Sequence, residues 1–487
     1  MSRIVSRLSH AALYITAALA PLPFGSNEPL WVAVWIVLLA VALAFADYRR
    51  LRPVHLALLA PMLIAAAIYG VVVALQSAAF PGLLPDYALH ARVGTLIGEP
   101  QPAPVPTATR ELPWLAIGPP VAALMAFLAG FVTAVDRDRA ARLMKVVAWS
   151  CVAYALYGLL MMIIDPHMLL WREKPFYSGR LTGTFVNPNT AATYFGMGAA
   201  IWAALTCDEI RRHLPEEEDD LKDALRLGFS RMPREITQPV IVFLVCFGAV
   251  LATGSRAGSL LTLLSVTLVV LLSFRRELRG VTSGLAPLAG AAAIGVAVLE
   301  VWGGMLEQRL QSGGVVDFSR IELFQSSAAI ITDHPWWGTG LGTFATVFPA
   351  YRTDQFIYGI ADRAHNTPLE VAVEIGLPAA GAIVFACLVT LGLIFRGALT
   401  RHRDRAWPIA GAAIGTLVFL HATVDFHLQT AGFFLPFWAV LGAALAQSIS
   451  SIPVPHRNNG RVSAERPADA AERLHRPPVC VEATLHG

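Results

Sequence analysis

The chain has 487 residues, of which 55% are hydrophobic and only 15% charged, with a mean hydropathy of +0.57 and a formal net charge of +3. Soluble domains carry about 25% charged residues. A deficit spread along nearly the whole length excludes a soluble globular protein and predicts a polytopic membrane protein. The cysteines Cys151, Cys207, Cys246, Cys387 and Cys480 fall in or beside apolar runs or in the C-terminal tail. No disulfide framework is expected from them, and no Cys/His cluster has zinc spacing.

Arg3 and Arg7 precede the first apolar run, Ala11–Phe24. Ala18-Leu-Ala20 would fit a signal-peptide cleavage site, but Pro21 and Pro23 follow it and further apolar runs come at once, so a retained first helix is expected. Leu30–Phe45 and Val54–Leu75 are the next spans, with Arg49-Arg-Leu-Arg52 between them. The stretch from Pro100 to Pro106 is too proline-rich for regular helix. Trp114–Val135, Leu143–Ile164 and Thr190–Thr206 follow. Asp208 to Gln238, with its acidic run Glu216–Asp220, reads as a solvated helical loop.

Pro239–Thr253 and Ala257–Phe274 are joined by the tight Gly254-Ser-Arg256, and a ninth run reaches Trp302. A large polar loop, 303–366, then contains an expected amphipathic helix over Phe318–Thr332, followed by glycine-rich turn material, His334 to Gly342. Leu369–Ile394, Trp407–Val424 and Ala431–Ile449 complete about twelve spans of bilayer length. The expected fold is therefore an all-α polytopic integral membrane protein. Residues 1–450 form one transmembrane domain, and 451–487, rich in Arg, Pro and Ala, form a disordered cytoplasmic tail.

With the N-terminus inside, the outer segments hold only Arg92, Arg110, Arg172, Lys174, Arg180, Arg256, Arg309, Arg320, Arg352 and Arg363 of the 37 Lys and Arg residues. The positive-inside rule then selects N-in and C-in. This assignment collects the polar peculiarities of the chain on the outer face, where a site is expected. Ionisable groups in a membrane cost roughly 2.5–3.5 kcal/mol each on insertion scales and are functional by default.

Five stretches carry that expectation. His365, beside Asn366 and ahead of Glu370 and Glu374, opens a membrane run; Asn366 can act as an N-cap and Pro368 as a first-turn proline while His365 works. Arg256 sits in a three-residue hairpin without an acidic neighbour in sequence. Its planar fork suits phosphate oxygens, and the alternative is snorkelling to headgroups. In Gly183-Thr-Phe-Val-Asn187-Pro188-Asn189, Pro188 pushes Asn187 out of helical conformation and Asn189 is placed to cap a helix whose free N–H groups attract anions. Capping and ligand binding both remain open there. Arg320 with Glu322 opens the amphipathic helix, as a surface ion pair or as part of a roof. Asp425 and His427 lie at an outer helix end, where simple solvation is the alternative.

In their order these stretches resemble the O-antigen ligase and polymerase superfamily of bacterial envelope glycosyltransferases. The matching pieces are Gly183–Asn189, Gly254-Ser-Arg-Ala-Gly258, Arg320 followed by Pro335-Trp-Trp-Gly-Thr-Gly-Leu-Gly342, and His365-Asn366 with Glu374-Ile-Gly376. The resemblance covers about Met144 to Ala446. Asp425-Phe-His427 is similar to the ending of members grouped with exopolysaccharide polymerases, so ligase and polymerase both stay open.

The resemblance implies a fold like the class C glycosyltransferases, in the bacterial inner membrane with the site on the periplasmic face. The donor would be a glycan on undecaprenyl diphosphate. The acceptor would be a sugar hydroxyl, on lipid A–core or on a growing glycan. A lipid diphosphate is already a competent leaving group, and the need is for stabilisation of developing negative charge. Arg256 and Arg320, with Arg180, can supply it. His365 could act as general base, while Asn187, Asn189, Asn366, Glu374 and His427 would contact substrate. No Asp-x-Asp pair lies in the outer loops, so no metal and no cofactor is expected, and nothing suggests nucleic-acid binding. A lipid-linked sugar transporter or flippase would share the span count, but no internal repeat relates the two halves.

Overall fold

A computed structural model describes residues 3–77, 98, 106–109, 111–213, 233–275, 318–352, 361–401 and 404–449. The expected ninth span, the acidic run Glu216–Asp220 and the tail 451–487 lie outside the described residues. What is described is almost wholly helical, with one two-stranded hairpin, β1 (Met168–Leu169) and β2 (Arg172–Glu173).

The helices are α1 (Arg3–Leu19), α2 (Pro29–Ala44), α3 (Pro53–Ser77), α4 (Leu112–Ala116), α5 (Gly118–Ala134), α6 (Arg137–Ile164) and α7 (Pro188–His213). They continue as α8 (Arg234–Ala252), α9 (Arg256–Ser273), α10 (Phe318–Asp333), α11 (Phe344–Val347), α12 (Thr367–Ile375), α13 (Leu377–Thr400), α14 (Ala406–His421) and α15 (Ala431–Ala446). Among them α3, α4 with α5, α6, α8, α9 and α13 are long and apolar enough to cross a membrane, and α2, α14 and α15 are shorter apolar helices. The chain is a helical multi-pass membrane protein.

Helix α7 is the central post. From Pro188 to Ala204 almost every side chain is buried, against α6, α8, α9 and α14. Small residues permit this. A side chain on Gly198 would strike Cys151 of α6, and one on Gly258 of α9 would strike Ala192 of α7. The same device joins α5 to α15, where Gly130 meets the Ala439 backbone and Gly442 the Phe127 carbonyl. Helix association in lipid relies on such close backbone approach, because the tails are as apolar as the side chains.

The two ends of the bundle differ. At one end, arginines close helix carbonyls that have no intrahelical partner: Arg405 Nη2 donates to Leu272 O at 2.6 Å, Arg275 Nη1 to Ala398 O at 3.1 Å and Arg401 Nη1 to Ile449 O at 3.1 Å. Arg137 pairs with Asp404 there at 3.0 Å. The other end gathers the starts of α7, α9, α12 and α15 and the end of α14.

One expected span is not continuous. The run Leu369–Ile394 breaks at Gly376, whose φ of 80° lies in the left-handed region, favourable to glycine. Pro378 then starts the next helix, α13, in its first turn. The break leaves α12 as a separate nine-residue helix, so Glu370 and Glu374 do not enter the bilayer-length helix behind it. Hydropathy reads through such a break because a window of bilayer length averages Glu374 into the apolar residues on both sides of Gly376.

Candidate functional site

Asp425 is the hub of the end formed by the α7, α9, α12 and α15 starts. Its side chain is 0% exposed, and burying a carboxylate is tolerated only with partners. Asn189 Nδ2 donates to Oδ2 at 2.5 Å, Asn187 Nδ2 approaches Oδ1 at 3.5 Å, and the Phe426 N–H donates to Oδ1 at 2.8 Å. Arg320 Nη2 stands 3.9 Å from Oδ2 and His365 Nδ1 4.0 Å from the same oxygen. Both distances lie in ion-pair range and beyond a hydrogen bond. Four segments remote in sequence thus meet at one carboxylate.

Local rules explain how each arrives. Asn187 Oδ1 accepts the Asn189 N–H at 2.8 Å and the Asn187 carbonyl accepts from Ala191. The cap of α7 is therefore Asn187, where Asn189 was expected, because Pro188 itself begins the helix. That frees the Asn189 amide for Asp425. Asn366 caps α12, its Oδ1 accepting from Leu369 N at 3.0 Å, and the Thr367 N–H reaches the Ala422 carbonyl at 2.8 Å. These bonds dock α12 onto the α14 end that leads into Asp425. Just ahead of the cap, His365 adopts φ 53°, a left-handed conformation that is uncommon for a residue with a side chain and concentrates at functional sites. Its ring lies edge-on to Phe426, 4.8 Å between centroids.

Arg256 is exposed at the first position of α9, after the Ser255 cap, whose Oγ accepts from Gly258 N at 3.2 Å. Gly258 lies against Ala192, one turn beyond Asn189, so α9 and α7 start side by side. Arg180 lies with its guanidinium over the Tyr177 ring at 5.6 Å, and its neighbour Leu181 donates to the Ala252 carbonyl at 3.4 Å. That ties Arg180 to the α8–α9 hairpin and gives it no contact with Asp425.

Glu370 and Glu374 are held by other partners, and Glu370 also bonds the side chain of Gln429, two residues after His427. Glu370 accepts from Ala364 N at 2.7 Å and approaches Arg363 Nη1 at 3.4 Å. Glu374 accepts the N–H groups of Phe344, at 3.3 Å, and of Gly342. Its backbone carbonyl takes Gly340 N at 2.9 Å and Gln76 Nε2 at 2.9 Å. Glu374 thus holds the Gly338–Gly342 turn and α3 against α12, away from His365. Burial raises the pKa of both carboxyls, that of Glu374 to about 8 with Glu370 adding to it.

His427 is fully buried behind Asp425, with Nε2 at 3.2 Å from the Val418 carbonyl and its ring 5.0 Å from that of His421. Burial, and then the neighbouring His421, push its pKa well down, so it sits neutral. His421 Nδ1 in turn meets Thr193 Oγ1 at 2.6 Å. The residue that sequence reasoning undervalued is Asp425, whose signal was an acid placed between two histidines at a helix end. Among the described residues, no group of three or more His, Cys, Asp and Glu is arranged to hold a metal.

The arrangement joins a buried carboxylate, an imidazole and a guanidinium at a membrane-helix mouth, with a second guanidinium exposed on a neighbouring helix start. It can shuttle a proton and neutralise an anion. Residues 241–384 match the model of the O-antigen ligase family, which supports the resemblance to the O-antigen ligase and polymerase superfamily. The matched segment contains Arg256, Arg320, His365, Asn366 and Glu374, while Asn187, Asn189 and Asp425 lie outside it. No curated protein matches the chain.

Proposed function

We propose that the protein is a glycosyltransferase that moves a glycan from undecaprenyl diphosphate onto a sugar hydroxyl, as an O-antigen ligase or as a polymerase of the same superfamily. The reading includes about twelve spans, both termini inside, and a site on the periplasmic face of the inner membrane. The observation that carries it is the convergence of Arg320 and His365 on one oxygen of buried Asp425, with both residues inside the matched family segment.

In this reaction the acceptor oxygen forms a bond to the anomeric carbon while the bond from that carbon to the diphosphate oxygen breaks. The lipid diphosphate leaves with the electron pair, and the hydroxyl proton goes to His365. Because Nδ1 faces Asp425, the proton is received at Nε2 and the imidazolium is balanced by the carboxylate, the logic of a base oriented by an acid. Arg256 and Arg320 neutralise the departing diphosphate. Asn189 holds Asp425 while Asn187 caps α7, and Glu370 and Glu374 brace the helix that carries His365. No metal or cofactor is required by this scheme.

The test is transfer by the purified full-length protein with undecaprenyl-diphosphate glycan and EDTA, with and without lipid A–core. Product only with lipid A–core means a ligase, and glycan lengthening without it means a polymerase. No product in either tube, with both substrates intact, would overturn the enzyme reading in favour of transport.

A further inference from the structure

A second region lies at the opposite end of the bundle, about 28 Å from Asn189 if measured along α7 to Asp208 at 1.5 Å per residue. A cavity of about 350 Å³ opens there, where α6, α8 and α14 begin and α7 ends. Most of its charges are paired across or along its walls. Arg137 meets Asp404 at 3.0 Å, and Arg212 meets Asp208 at 2.6 Å and Glu209 at 3.4 Å. Two charges remain without an ion pair among the described residues, Lys145 and Asp138. Both are on α6, two helical turns apart, and so on one face.

The cavity does not end in solvent on every side. A groove of about 730 Å³, almost wholly apolar, runs between α1 and α6 past Ala18, Leu19 and Ala153. Lys145 and Trp149 line both the cavity and the groove, and Arg142 stands at the same junction. Trp149 is 45% exposed and stacks edge-on against Trp202 at 5.0 Å, as aromatic side chains do where an apolar phase meets a polar one. An apolar channel thus leads to a cationic junction, and beyond it lies an anionic group.

We propose that groove and cavity together bind one glycerophospholipid whose headgroup carries both a phosphodiester and a primary ammonium. An acyl chain lies between α1 and α6, the phosphodiester sits at Lys145 and Arg142, and the ammonium reaches Asp138. The order of charges along α6 decides the occupant. A purely anionic headgroup would satisfy Lys145 and leave Asp138 facing a negative charge, whereas a zwitterion satisfies both through charge-assisted contacts. Indole faces beside the cavity favour an ammonium as well. This site does not depend on the transfer reaction and shares no residue with it.

The experiment is native mass spectrometry of the full-length, delipidated protein, titrated with phosphatidylethanolamine or phosphatidylglycerol of identical acyl chains. The ethanolamine lipid should bind about tenfold more tightly, the value of one charge-assisted contact. Lys145→Ala should weaken both lipids about tenfold, and Asp138→Asn should abolish the preference by weakening only the ethanolamine lipid. Both side chains are exposed, so neither change disturbs the core, and an unchanged melting curve confirms the fold. Equal binding of the two lipids by the wild-type protein, or wild-type selectivity in Asp138→Asn, would overturn the proposal.

Discussion

His365 and Asp425 face each other across the junction of α12 and α14, Nδ1 to Oδ2 at 4.0 Å, the histidine partly exposed and the aspartate fully buried. The pair is set by backbone bonds on both sides. Thr367 N donates to the Ala422 carbonyl and Thr367 Oγ1 to that of Asp425 itself, at 3.3 Å. The imidazole and the carboxylate are thus held together at the ends of two helices.

Asp425→Asn should keep the Asn189 contact through its amide oxygen and lose the charge that balances His365 and Arg320. The expected result is a fall in transfer rate of about 10²–10⁴-fold, the usual range for general acid–base catalysis. Initial rates in the purified assay, at melting temperatures equal to wild type, check this. Retained full activity would remove Asp425 from the mechanism.

Arg256 supports no described contact within the fold, which makes it the cleanest probe of the leaving group. Arg256→Ala should lower the rate constant for transfer by about 10²–10³-fold, comparable to loss of one oxyanion-stabilising donor, with little change in thermal stability. Arg256→Lys should recover only part of it, since an ammonium does not reproduce a bidentate fork.

The two asparagines at the α7 start should separate. Asn187→Ala removes the cap and should cost about 1 kcal/mol of stability, read as a lower melting temperature. Asn189→Ala leaves the cap in place and should act on activity instead, because Asp425 loses its 2.5 Å donor. Identical phenotypes for the two would contradict the assignment of cap and holder.

Glu374 predicts a pH dependence of stability. Its pKa is about 8 in the fold against an ordinary value of 4.5, and that of Glu370 is raised as well. Between those values the folded chain binds more protons than the unfolded one, so stability is greatest below 4.5 and declines as pH rises towards about 8. The melting temperature in detergent should fall across this window. Glu374→Gln, which mimics the protonated carboxyl, should flatten the decline, and an unchanged slope would show that Glu374 is not its source.

Gly376→Ala should be destabilising by about 1–3 kcal/mol from its left-handed backbone alone, and the added Cβ would overlap the Trp336 carbonyl. A lower melting temperature, together with reduced transfer through a displaced α12, is the expected readout.

Much of the fold was legible because bilayer length and hydropathy are strong signals, and the Asn366 cap and the Gly254–Arg256 hairpin follow from local chemistry. What escaped was long-range or conformational. Nothing local marks Asp425 as the meeting point of Asn189, Arg320 and His365, since burial depends on which helix ends become neighbours. Glu374 is expected among the substrate contacts because it follows His365 in one apolar run. The structure turns it towards the Gly338–Gly342 turn. The exchange of capping roles between Asn187 and Asn189 turned on one residue, Pro188, acting at helix position one.

Glu370 and Glu374 stand one helical turn apart and grip the two ends of the intervening chain, Ala364 by its N–H and Phe344 by its N–H. Whatever chain runs from Phe344 to Ala364 therefore leaves and returns within a single turn of α12. It is no free loop, because Phe344, Val347 and Phe348 at its start pack with Ala364 and with Val373 of α12 in one buried cluster. Any change in that cluster is felt at Ala364, directly ahead of His365, so the polar outer segment and the histidine move as one body.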